Sequence, residues 1–334
     1  MKRGGLMRWL TGFVMLLGCL WGGYWFVGER GFEAAAKGWF ATLQDNGKAA
    51  SYSDLTVQGF PNRFDLTITD PDFSDPATGF DWQAPFFQVL SLSYKPWHVI
   101  AAFPPEQRLV LPPEAMTIRA AKLQASVVAK PQTSLPLDRL SLVGEALEAV
   151  GDRGWKVRAQ TVQFATRLDE SRMDWHEIGL NIGNLTPDAA LIEQFGAVLP
   201  PEVAMIRVDA HVGMTAPIDR KVLETRPQIA ALDLSDLRID WGTMGITATG
   251  KVVADIAGFA EGDAVLRLEN WQVALDVAQT MGILAPDKRK LWERAAQFLA
   301  KRSDGLDTLE LQLRFAKGLT LIGPLPVGPA PRLR

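Results

Sequence analysis

The sequence predicts a mainly β protein of the α+β class: an N-terminal transmembrane helix followed by an elongated, largely antiparallel β-sheet ectodomain with a few short helices. Three observations predict it. A run of nineteen residues without a charge, Trp9 to Val27, follows a basic start. Beyond the turn at Asp45-Asn46-Gly47 the apolar period changes from 3.6 to 2, so that strand-length segments carry one packed face and one polar face. Finally, 29 glycines and 21 prolines are spread along the chain, which implies many turns between short elements.

The uncharged run reads WLTGFVMLLGCLWGGYWFV. At 1.5 Å per residue it extends about 28 Å, close to the thickness of a bilayer's hydrocarbon core. Lys2, Arg3 and Arg8 precede it, and Glu29 and Arg30 follow. The positive-inside rule then places the N-terminus in the cytoplasm and the body across the membrane. Trp21, Tyr24, Trp25 and Phe26 cluster at the outer end, where amphipathic rings favour the interface. Three other readings compete. A cleavable signal peptide needs a small-x-small site, and no A-x-A follows the run. Leu16-Leu17-Gly18-Cys19 approximates a lipobox, yet Leu is unusual at its second position and the apolar run continues for eight residues past Cys19. A buried core helix fits poorly with nineteen uncharged residues beside a basic start. The uncleaved anchor is the preferred reading.

Gly31 to Leu43 places Phe32, Ala35, Ala36, Trp39, Phe40 and Leu43 on one helical face, so the anchor is expected to continue as a short amphipathic helix ending at Asp45-Asn46-Gly47. Strands are expected near 52–58, 63–69, 86–95, 116–128, 155–168, 174–183, 202–214, 229–240, 244–256, 262–271 and 306–322. Alternation is cleanest at two of them. Phe64, Leu66 and Ile68 alternate with Arg63, Asp65, Thr67 and Thr69, and Leu309, Leu311, Leu313 and Phe315 alternate with Glu310, Gln312 and Arg314. The 244–271 stretch reads as a hairpin turned by Gly258 and Glu261-Gly262. Helices are expected at Thr186 to Leu199, capped by Thr186 with Pro187 first, and at Asp287 to Arg302. The second carries a stripe of Leu291, Ala295, Phe298 and Leu299 and a stop at Ser303-Asp304-Gly305. The tail GPLPVGPAPRLR suits neither helix nor central strand and is expected to be extended. The layout is therefore 1–8 cytoplasmic, 9–27 anchor, 28–47 helical linker, 48–322 β-rich domain and 323–334 tail. Asp-Trp recurs at Asp81-Trp82, Asp174-Trp175 and Asp240-Trp241, and a Trp at such strand positions reads as a packing anchor.

The chemistry-bearing residues are few. The only cysteine, Cys19, lies in the apolar run, so the body holds no disulfide, and 47% hydrophobic residues suffice for a core without one. The formal charge of −3 includes three cations and no acid in residues 1–27, so the body is more acidic than the whole, a poor match to nucleic acid. Of the three histidines, His98, His176 and His211, only His176-Glu177 resembles the start of a zinc-protease helix, and Leu180 stands where its second His is required. Asp70, Asp72 and Asp75 suggest calcium at first sight, but Asp75 occupies the position that needs Gly, and acidic turn chemistry explains them better. No G-x-S-x-G, P-loop, G-x-G-x-x-G or paired-Cys motif occurs. Lys288-Arg289-Lys290, Arg294, Lys301 and Arg302 form a basic helix face, by default a solvated one. The expectation is no enzyme, no catalytic or metal-binding residue and no cofactor.

Four strings carry a resemblance: GFPNRFDLTITDP (59–71), DWQAPFFQVLSLSYKPWHVI (81–100), IDWGTMGITATGKVVADIAGFAEGDAVLRLENW (239–271) and LIGPLPVGPAP (321–331). With them, residues 5–331 resemble an uncharacterised, membrane-anchored alphaproteobacterial family catalogued as a domain of unknown function. The resemblance implies a Gram-negative inner-membrane protein whose bulk faces the periplasm, and it brings no catalytic residues. In architecture alone the chain is also similar to the AsmA-like envelope proteins, in which one anchor precedes a β body forming a groove for acyl chains.

Two functions follow as expectations. In the first, an apolar sheet face lined by Phe64, Leu66, Ile68, Leu309, Leu311, Leu313 and Phe315 forms a groove that binds lipid acyl chains in envelope maintenance. In the second, the ectodomain is a scaffold that binds another envelope protein.

Overall fold

A computed structural model describes residues 3–194, 198–282, 284, 286–300 and 307–334. It is mainly β and antiparallel, with one long N-terminal helix and a few short ones. The expected single β domain over 48–322 divides into two compact units, residues 1–117 with 124–127 and residues 118–123 with 128–334.

The first unit is built on helix α1 (Arg3–Asp45), and the segment Met7–Asp45 is long and apolar enough to cross a membrane. The anchor and the amphipathic segment are thus one continuous helix, closed as expected by Asn46 and by Gly47 at φ 76°. The strands that follow are β1 (Ala49–Ser51), β2 (Asp54–Gln58), β3 (Arg63–Thr69), β4 (Asp72–Asp75), β5 (Phe80–Gln83), β6 (Phe86–Leu92), β7 (Lys95–Ala102), β8 (Glu106–Leu111), β9 (Glu114–Arg119) and β10 (Lys122–Ala129). The first eight form antiparallel ladders β2–β3–β6–β7 and β1–β4–β5–β8, and β9 and β10 each carry residues of both units.

The core of this unit lies between α1 and β2–β3. Trp25, Phe32, Ala36, Phe40 and Leu43 recur at helical spacing and pack on Leu55, Val57, Phe64, Leu66 and Ile68. Ala35 and Trp39, expected on the same face, are exposed instead. A Cβ on Gly28 would strike the Phe64 ring, so glycine at this turn is what lets α1 lie directly on β3. Three aromatic donors tie the end of the uncharged run to backbone carbonyls. Trp21 Nε1 donates to Pro61 at 3.0 Å, Trp25 Nε1 to Arg63 at 2.8 Å and Tyr24 Oη to Ser93 at 2.6 Å.

The second unit is a meander. Strands β11 (Leu137–Gly151), β12 (Lys156–Leu168), β13 (Trp175–Thr186), β14 (Val203–Met214), β15 (Ile229–Trp241), β16 (Met244–Ala254), β17 (Ala260–Glu269), β18 (Thr308–Ala316), β19 (Leu319–Ile322) and β20 (Leu325–Pro329) each pair antiparallel with the next. Helix α2 (Ala189–Gln194) and the single turn α3 (Val222–Thr225) sit in connections, and α4 (Trp271–Thr280) and α5 (Arg289–Ala300) lie between β17 and β18. The tail is extended, as expected, and proline-bearing β20 pairs with β19. Beyond it, Pro331 accepts from Ala260 N and Arg332 stacks on Phe259 at 5.5 Å, fastening the chain end to the β16–β17 turn.

Several sequence expectations give way. β11, among the longest strands, was not foreseen, nor were β1, β4, β5, β7, β8 and α4. The 116–128 and 306–322 segments each turn once and make two strands. Glu261-Gly262 lies inside β17, where a Cβ on Gly262 would collide with the Lys251 carbonyl; the turn itself runs Asp255 to Phe259 with Gly258 at φ 87°. Thr186 remains in β13, and Asp188 caps α2 by accepting from Ala190 N at 2.9 Å. On α5, Leu291, Ala295 and Phe298 face outward, and Ala296 and Ala300 are the buried positions. The expected stop at Ser303-Asp304-Gly305 lies outside the described residues.

Candidate functional site

In an antiparallel ladder, residues directly opposite each other share a face, so linked registers trace rows across a sheet. One row runs Leu142, Phe164, Leu180, Val208, Leu237, Ala248, Leu266, Leu311, one residue from each of β11 to β18. It is apolar throughout, and at about 4.8 Å per strand it is about 34 Å long. A neighbouring row holds Val162, Ile182, Ile206, Ile239, Ile246, Leu268 and Leu309. On its other side lie Leu140, Ile178, Ala210, Leu234 and Leu313. An irregularity in β15 between Leu234 and Leu237 puts these two residues, three apart in sequence, on the same face. Without that bulge the alternation would turn Leu234 toward the polar side.

The opposite face is a charge ladder. Arg167, Glu177, His211, Asp233, Lys251, Asp263 and Arg314 occupy one row, nearly alternating in sign. Lys251 Nζ meets Asp233 at 2.9 Å, and Arg207 and Arg238 pair with Asp209 and Asp240. These exposed pairs add little stability singly, but they keep this face wet. A shallow open depression of about 420 Å³ lies here, over Gly179 and Ala165 between Gln163, Asn181 and Arg207.

The two apolar faces of the molecule are covered to different extents. In the first unit Phe64, Leu66 and Ile68 are 3%, 5% and 5% exposed beneath α1. These three expected groove residues are therefore closed core, in a different unit from the other four. In the second unit every member of the Leu142-to-Leu311 row is only half-buried. Cover comes at one end, where Trp271 of α4 and Ala296 of α5 pack with Leu309, Leu268 and Leu311. Leu309 is thereby sealed, and Leu311, Leu313 and Phe315 remain half-buried as the β18 members of successive rows. The sequence pattern identified these four residues but not the Leu142, Phe164, Leu180, Val208 stretch, which only the register reveals.

The polar residues singled out from sequence have local roles. His98 Nε2 lies 3.0 Å from Ser126 Oγ across β7 and β10, and His211 approaches Glu177 at 3.9 Å on the charged face. His176 is buried on the apolar face between Leu168 and Val212, with Nδ1 unpartnered; burial lowers its pKa, against a smaller opposing effect of Asp174. Asp70 accepts from Ser53, Asp72 from Gln83, and Asp75 from Ala77 N and from Lys48 at 3.1 Å. No group of three or more His, Cys, Asp or Glu side chains that could hold a metal ion occurs among the described residues. The Asp-Trp residues pack: Trp82 Nε1 donates to Gln107, Trp175 stacks under Arg172 at 4.1 Å, and Trp241 Nε1 donates to the Pro200 carbonyl.

A family model described as uncharacterized protein conserved in bacteria (DUF2125) matches residues 25–331. The match begins at Trp25, where the docked stripe of α1 begins. No curated protein and no solved structure matches the chain.

Proposed function

Since the chain belongs to the bacterial DUF2125 family, whose description assigns no activity, we propose from its own geometry that it is a membrane-anchored, non-enzymatic lipid-handling protein. In this reading α1 crosses the inner membrane with Arg8 on the cytoplasmic side, and the β units stand in the periplasm. The second unit's apolar face holds acyl chains.

One observation carries the reading. Within a single chain, one apolar sheet face is sealed to a few per cent exposure by its own helix, and a second, about 34 Å long, stays half-open over β11 to β15. Leaving so many branched side chains partly wet costs about 25 cal/mol per Å² of apolar surface, and a bound acyl chain recovers about 0.8 kcal/mol per buried methylene. The absence of caps or charges within these rows suits a ligand that is long and featureless. Acyl chains that run along or across the rows need no fixed polar partner.

Photo-crosslinking tests it. The full chain is reconstituted with a phospholipid carrying a diazirine in its acyl chain, irradiated and digested. Adducts on Leu180, Val208 and their row neighbours, and not on Asn181 or Arg207 of the opposite face, support the reading. Label confined to α1 defeats it and leaves the anchor standing.

A further inference from the structure

We infer that α1 is not the only membrane contact: the turn around Phe60-Pro61, with the neighbouring Tyr94-Lys95 turn, sits in the outer leaflet of the bilayer that the helix spans. This rests on α1 as the anchor. The argument is one of depth. Trp21 lies twelve residues after Trp9 on a continuous helix, about 18 Å along an uncharged run of about 28 Å. At that level Trp21 Nε1 already donates to the Pro61 carbonyl, and Tyr24 Oη donates to Ser93. The Phe60 ring stands edge-on to Trp25 at 5.3 Å and stacks on Phe26 at 6.1 Å. Gly28 fixes the helix against Phe64, so the turn cannot ride up the helix to clear the membrane.

The helix could keep this turn dry only by sliding toward the periplasm, which would draw Arg8 into hydrocarbon. Burying that guanidinium is far more costly than immersing phenylalanine, so the turn goes in. Tilt of the helix shortens its projection and sets the turn deeper. The chemistry of the turn fits. Phe60 is 58% exposed and Tyr94 53%, with exposed Pro61 and Pro96 beside them. The carbonyls of Pro61, Arg63 and Ser93 are each satisfied by an aromatic donor of α1, as backbone in an apolar medium requires. Exposed Lys95 is placed to meet a phosphate headgroup.

The test is depth-resolved quenching on the full chain. Cys19 is replaced by Ser, and single cysteines at Phe13, Phe60, Tyr94 or Ala77 carry an environment-sensitive fluorophore. Each protein is reconstituted into phosphatidylethanolamine–phosphatidylglycerol vesicles doped with lipid spin-labelled near the acyl carbonyl or near the chain end. Ala77 is the dry control, because its turn is held by Lys48–Asp75 beyond the far end of α1. We expect Phe60→Cys and Tyr94→Cys probes to be quenched several-fold more than Ala77→Cys by the shallow label, and Phe13→Cys to prefer the deep one. Because Phe60→Cys removes ring contacts, Tyr94→Cys, with no such contact to lose, decides if the two disagree. A quenched Phe13 probe with Tyr94 as dry as Ala77 overturns the second contact and leaves the anchor intact. An unquenched Phe13 probe overturns the anchor itself. A Tyr94 probe that is shielded from lipid but crosslinks to a second copy overturns the lipid assignment in favour of a dimer.

Discussion

His176 is a polar residue on an apolar face, with Leu168 and Val212 directly opposite and Nδ1 lacking a partner. Burial disfavours the charged imidazolium and holds its pKa below the ordinary 6.5. The unfolded chain therefore binds more protons than the folded one, and stability rises with pH through this window. His176 is neutral and harmless above about 6.5, and its contribution is lost as pH falls toward the depressed folded pKa. We expect the melting temperature to drop between about pH 7 and about pH 5, and His176→Leu to flatten that drop by removing the group. Equal slopes for the two proteins would place the pH dependence elsewhere. Gly28 is the second decisive residue. A methyl group there meets the Phe64 ring, so Gly28→Ala should cost about 1–3 kcal/mol in denaturant unfolding, although alanine favours helix. Neither role was legible in the sequence. In the sequence His176 stood out only for the Glu177 beside it, and Gly28 was one of 29 glycines, because both roles depend on what a distant segment places opposite them.

Among elements, those with uninterrupted local patterns were legible. β3 and β18 alternate without a break, and α1 shows a long apolar run that passes into a helical stripe. β11 was not legible, because its alternation stops at Gly144-Glu145-Ala146, where Ala146 takes φ 50°. One continuous strand thus reads as two unrelated halves. α4 was hidden for another reason: β17 runs into it with only Asn270, in the left-handed conformation, between them. The continuity of α1 can be tested directly. Proline at position 30 removes a helical hydrogen bond and clashes with the preceding turn, at a cost of about 3 kcal/mol or more. The kink would fall between Trp25 and Phe40, so both could not remain on β2–β3. Arg30→Pro should accordingly lower the melting temperature of the first unit and expose α1 to chymotrypsin between Trp25 and Trp39. Unchanged proteolysis would mean that the two halves of α1 dock independently.

At the scale of the whole chain, alternation says that a sheet face is apolar but not what covers it, and cover is supplied by segments far away in sequence. Phe64, Leu66 and Ile68 looked like Leu309, Leu311 and Leu313 in pattern, yet α1 seals the first set, and α4 and α5 seal only Leu309 of the second. The difference predicts opposite outcomes for one kind of substitution. Leu66→Glu strands a carboxylate under α1, where no partner awaits it, and should cost about 3–5 kcal/mol or unfold the first unit outright. Leu180→Glu and Val208→Glu place the same group on a half-open face, where it can reach water, and should cost about 1 kcal/mol or less. If that face holds acyl chains, the penalty appears elsewhere: a charge within the row repels the chain, and each methylene displaced forfeits about 0.8 kcal/mol of binding. Melting temperature and acyl-chain crosslinking, measured together on the full chain, separate the possibilities. A stable Leu180→Glu protein that loses its label identifies the rows as the lipid path, and one that unfolds like Leu66→Glu identifies them as ordinary core.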